Sequence, residues 1–186
     1  MVDGIAERHV DAGTDEIRAG FLSSHRATAA CARELSRLYD AIADGLAEWG
    51  VGVGTERTGD ESSHAAAPVV RRTPARCLVQ VGPVALTVAW LQRAQDAVAE
   101  GELLVVVWRG AVAVQTPRGF EHTGDRAGAS SATPVWETVL GANAGSEADW
   151  TWEPAGVADV TFSSATLAAQ CLARLRAAYA ECARAR

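Results

Sequence analysis

Apolar side chains recur every three or four residues at both ends of this chain, and alternately or continuously in the stretch between. Near the start, Ile17, Phe21, Ser24, Thr28, Cys31, Leu35, Leu38, Ile42, Leu46 and Trp49 succeed one another at steps of three and four. That spacing lays one side chain per turn along a single face and predicts a helix over Thr14–Trp49. Thr14 is placed to cap it, with Asp15 and Glu16 in the first turn where the helix dipole favours acids. Gly20 and Gly45 weaken the helix without necessarily breaking it, and the Gly50-Val51-Gly52 run ends it. At the other end Ala168, Cys171, Leu175, Ala178 and Cys182 repeat the rhythm, so a second helix is expected from Ser164 onward, capped by Ser163 or Ser164.

The central pattern is that of strands. Arg76–Val81 and Pro83–Leu91 are separated by a Gly82-Pro83 break, and Leu103–Trp108 and Ala111–Thr116 flank Arg109-Gly110. The last pair predicts a tight hairpin in which Val107 faces Val112 and Val105 faces Val114. Leu104, Val106 and Trp108 line its other face beside Ala111 and Ala113, so both faces read as buried. Val135–Leu140, Trp150–Glu153 and Val157–Phe162 are weaker strands, and Gln92–Glu102 is a short helix or an irregular link. The stretches near 51–75, 117–134 and 141–149 are polar and rich in small residues, and are expected to be mobile loops. Residues 1–13 read as a flexible leader, and 14–186 as one domain.

The element order predicts an α+β fold: an antiparallel meander sheet of about four to six strands with long N-terminal and C-terminal helices packed on it. A continuous helix over Thr14–Trp49 would be about 54 Å long. A globule of 186 residues is roughly 40 Å across. The helix must therefore break near Gly20 or Ser24, or its apolar seam must overhang and be covered by another chain.

Composition narrows the chemistry. All 17 basic residues are arginines, which reads as codon bias of a high-GC bacterial genome. Without lysine, neither a Schiff base nor a P-loop phosphate contact can form. The glycines at 50, 52 and 54 come after a helix instead of a strand, so they do not make a nucleotide loop. A net charge of -6 argues against nucleic acid as a partner, although Arg71, Arg72 and Arg76 form one basic cluster and Arg174, Arg176, Arg184 and Arg186 another. No run of about 18 apolar residues is present, and no cationic start leading into an apolar run, so the cytoplasm is the expected compartment, with no membrane partner.

Catalytic and metal chemistry find little footing. Cys31, Cys77, Cys171 and Cys182 form no Cys-x-x-Cys pair, and His9, His64 and His122 fall in predicted loops without ligand spacing, so no metal and no cofactor is expected. His25 and Cys31 lie about 240° apart around the helix and cannot form a dyad. Ser62, Ser63 and His64 sit in a polar loop that offers no fixed base and no oxyanion hole. Asp40 and Asp44, with Arg33 and Arg37 just before them, read as surface ion pairs within the helix.

Six tryptophans beside three phenylalanines are the unusual feature. They support two expectations. The first is a non-enzymatic interaction or adaptor protein that self-associates as a homodimer or binds another protein, through Ile17, Phe21, Thr28, Trp136, Trp150 and Trp152. The alternative is a small-molecule-binding domain with a pocket between sheet and helices, lined by Trp90, Trp108, Trp150 and Trp152.

Overall fold

The computed structural model describes residues 16–49, 68–92, 101–112, 132–157 and 159–185. Among these residues it is an α+β fold with three helices and one six-stranded sheet. A short helix α1 covers 16–22 and leads into α2, His25–Glu48. Then come β1 (Val69–Thr73), β2 (Arg76–Val81), β3 (Val84–Gln92), β4 (Gly101–Arg109), β5 (Thr133–Asn143), β6 (Thr151–Pro154) and α3 (Ser164–Arg184). The strands pair antiparallel in the order β1-β2-β3-β4-β5-β6, so each strand lies beside its sequence neighbours throughout.

The long N-terminal helix does break, and at Ser24. Its backbone is extended there (φ -89, ψ 155), and its hydroxyl accepts from the N–H of Ala27 as the cap of α2. Beyond the break Ala27, Ala30, Cys31, Leu35, Leu38, Ile42 and Leu46 are buried, as the seam requires. Ser163 caps α3 in the same way, accepting from Thr166 N–H.

Both long helices cover one face of the sheet. The side chains meeting them alternate along the strands: Cys77, Val79 and Val81 on β2, Val84, Leu86, Val88 and Trp90 on β3, Leu103, Val105 and Val107 on β4. The helices approach each other closely at Gly45, where a Cβ would lie 2.3 Å from Leu172 Cδ1, and Arg176 donates to the Gly45 carbonyl. Two-residue connections tighten the first hairpins: Thr73 pairs with Arg76 across Pro74-Ala75, and Val81 with Val84 across Gly82-Pro83. Gly82 sits at φ +51, a left-handed conformation that suits glycine in such a turn.

The expected hairpin of Leu103–Trp108 with Ala111–Thr116 does not form. β4 is flanked by β3 and β5, which takes up both of its edges, and Val107 stands between Leu86 and Trp136. Ala111 and Val112 lie outside any strand, and 113–116 fall outside the described residues. Two neighbouring apolar runs suggest a local pairing, but a central strand pairs by tertiary position and not by nearness in sequence. Residues 69–73, expected in a loop, form β1, and 141–143 extend β5. Val157–Phe162 is not a strand, though Phe162 makes a single bridge to Trp152. β5 carries a bulge: Val107 pairs with Trp136 but Trp108 with Pro134, leaving Val135 as the extra residue beside a proline that has no N–H to give the ladder.

Candidate functional site

The four tryptophans of the expected pocket do not converge. Trp90, Trp150 and Trp152 pack edge-to-face in the core, with ring centroids 5.8 Å apart for Trp90–Trp152 and 5.7 Å for Trp150–Trp152. Trp108 alternates with Leu103, Val105 and Val107 along β4, and so projects from the face opposite α2 and α3. There its indole N–H donates to Thr87 Oγ1 at 3.1 Å.

The interface candidates divide in a similar way. Ile17 is exposed at 66% and Phe21 is half-buried, packed against the core from α1. Thr28 is half-buried on α2. Trp136 is half-buried on β5 beneath the Arg174 guanidinium, 5.4 Å from its ring centroid. Trp150 and Trp152 are interior residues, which withdraws them from any surface a second chain could touch. Their acidic sequence neighbours suggest a polar setting, but β6 turns these rings inward while Glu153 on the opposite side accepts from Asn143 Nδ2.

Sequence reasoning misses a buried polar chain. Trp152 Nε1–H donates to Ser164 Oγ at 3.0 Å, Ser164 Oγ–H donates to Glu34 Oε2 at 2.7 Å, and Arg37 pairs with Glu34 Oε1. It joins β6, the first turn of α3 and the middle of α2. Glu34 is buried, and a buried polar group left without its partner costs about 1–3 kcal/mol, so this chain helps fix how the two helices sit on the sheet. A serine beside a carboxylate can suggest nucleophile chemistry. Here both groups are buried. The only sequence signal is Glu34 standing one residue before the seam position Leu35, on the buried side of the helix.

Three of the four thiols, Cys31, Cys77 and Cys171, are shut in as well, while Cys182 is half-buried. Burial, helped by the Glu34 carboxylate, pushes the Cys31 thiol up to about 12. Burial lifts Cys171 to about 12 and Cys77 to about 11, the latter against the pull of Arg72. The Tyr39 hydroxyl is raised by burial too. A thiolate nucleophile at these three cysteines is therefore strongly disfavoured at neutral pH. Among the described residues no group of three His, Cys, Asp or Glu side chains is placed to hold a metal ion.

An open cleft of about 730 Å³ lies at the ends of β4, β5 and β6. Glu102 and Glu153 flank Gly141 in register there, and none of the tryptophans lines it.

The two edges of the sheet differ. β6 is closed by Phe162, whose N–H and carbonyl exchange 2.8 Å hydrogen bonds with Trp152. Nothing among the described residues pairs with the outer edge of β1. All five of its residues are exposed, Val69 at 51% and Val70 at 43%. Arg72 points to the helix face, lies over Tyr39 and pairs with Asp40 on α2, so the Asp40 partner is not the helical arginine that spacing suggests. Val69, Arg71 and Thr73 point the other way, in rows with Gln80, Leu78 and Arg76. Beside them is a groove of about 240 Å³, lined by Val69, Arg71, Leu78, Gln80, Ala111 and Val112.

No protein-family model, curated protein or solved structure matches the chain.

Proposed function

We propose that this chain is a non-enzymatic protein-interaction or adaptor module that takes up a partner strand along β1. The observation that carries the reading is the asymmetry of the sheet: one edge closed by Phe162, the other open with two valines exposed. An open edge presents a row of backbone donors and acceptors, and a strand added there gains hydrogen bonds and covers apolar surface at once. A second copy and another protein are both covered by this reading. The small-molecule alternative draws no support from the tryptophans, which are divided between the core and the other face.

The test is amide exchange at Val69–Thr73, measured with and without a synthetic peptide of alternating valine and threonine. The peptide is expected to slow exchange at β1. Its analogue, N-methylated at the residues whose N–H groups face β1, is expected to have no effect. If neither the peptide nor raising the protein concentration slows exchange at β1, the reading fails.

A further inference from the structure

The charge around the open edge specifies what kind of strand fits it. We propose that β1 accepts an acidic extended segment of another protein, and not a second copy of itself; this rests on the reading of β1 as an interaction edge. On the face opposite α2 and α3, Arg71 and Arg76 are both exposed, and neither has an ion-pair partner among the described residues. The rows Val69–Gln80, Arg71–Leu78 and Thr73–Arg76 contain no carboxylate. On the other face Arg72 is neutralised by Asp40. The corner thus carries uncompensated positive charge on one side only, within a chain whose net charge is -6.

Self-pairing meets this charge head-on. In a two-fold antiparallel arrangement centred on β1, Arg71 faces either its own copy or Val69, with the two arginines on neighbouring rows. Like charges placed directly opposite destabilise a strand pair, and charged edge residues are a common device against edge-to-edge association. An incoming strand with a carboxylate opposite Arg71 turns the same charge into attraction. An apolar residue two positions along, opposite Val69, would lie at the mouth of the groove between Leu78 and Val112. The fitting ligand is therefore an extended segment in which acidic and apolar residues share one face.

Two labelled peptides of equal length test this, one alternating valine with glutamate and one alternating valine with lysine. At low salt the glutamate peptide is expected to bind about tenfold more tightly, since two exposed charges contribute on the order of 1 kcal/mol together, and the gap should close as salt rises. The Arg71→Glu, Arg76→Glu double variant is expected to reverse the preference, a change that a merely structural role for the two arginines would not produce. The Arg71→Gln, Arg76→Gln double variant is expected to abolish the preference without reversing it. Light scattering should find the wild type monomeric at micromolar concentration and an equimolar mixture with Arg71→Glu associated. Equal binding of the two peptides, or self-association of the wild type that exchange measurements trace to β1, overturns the acidic-partner proposal and leaves the open-edge reading standing. If neither peptide binds and β1 exchange never slows, both fall.

Discussion

Ser164 carries more of this structure than its place at the start of a helix suggests. Its hydroxyl accepts from Trp152 and donates to Glu34, so removing it leaves an indole N–H and a carboxylate oxygen buried without partners. Ser164→Ala is expected to cost about 1–3 kcal/mol, read from urea denaturation. In a double-mutant cycle with Glu34→Gln the two sites should couple by more than about 0.5 kcal/mol; strict additivity would show that the chain does not act as a unit. Gly101 makes the opposite point, since it matters for what it lacks. A Cβ there would stand 2.4 Å from Trp90 Cζ2, inside the packed ring cluster. Gly101→Ala is expected to destabilise by about 1–3 kcal/mol through overpacking, and to shift the tryptophan fluorescence. An unchanged emission spectrum would contradict this. Neither role is legible in the sequence, because both depend on atoms more than ten residues away.

Among the elements, α1 and α2 share one apolar seam that the sequence displays, and its length calls for a break near Gly20 or Ser24 or for an overhang, of which the structure shows the break at Ser24. The segment between β5 and β6 is not legible in this way. Residues 144–149 are tied down at both ends: the Asp149 carboxylate accepts from Gly145 N–H, Ser146 N–H and Ser146 Oγ–H, and Glu147 is clasped by Arg26 at 2.9 Å and Arg33 at 2.6 Å. The hydrogen bond from Arg26, then that from Arg33, holds the Glu147 carboxyl below the usual range. For Asp149 burial pushes upward, but the Ser146 and Gly145 hydrogen bonds outweigh it and the net direction is down. A depressed carboxyl stabilises fully above its unfolded value of about 4 and loses that contribution as the pH falls through the folded one. Amide exchange in 144–149 is therefore expected to accelerate below about pH 4 while α3 stays protected; equal acceleration in both would refute a local clasp. Spacing along α2 shows Arg26 and Arg33 on one side of the helix, but not that a glutamate over a hundred residues later meets them.

For the molecule as a whole, Cys31, Cys77, Cys171 and Tyr39 are all buried where α2 and α3 meet the sheet, with their protonated forms favoured. Their folded values lie above the unfolded ones of about 8.5 for a thiol and 10 for a phenol. The stability they supply is complete below those values and is lost as the pH rises through them toward the folded values of about 11 and 12. The urea midpoint is expected to fall steadily between about pH 9 and 11; a flat profile would mean these groups are solvated. The sequence by itself determined the fold class, a capping serine at 163 or 164 for α3, and the faces of α2 and α3 that turn inward; that Ser24 caps α2 came from the structure. The first three come from periodicity and capping, which act over a few residues and leave their mark along the chain. Only the tertiary structure decided that β4 sits between β3 and β5, that the tryptophans are split between two environments, that Glu34 meets Ser164, and that among the described residues no strand pairs with the outer edge of β1. Each of these is set by which surfaces meet in space once the sheet has closed, and a chain read in order records no such meeting.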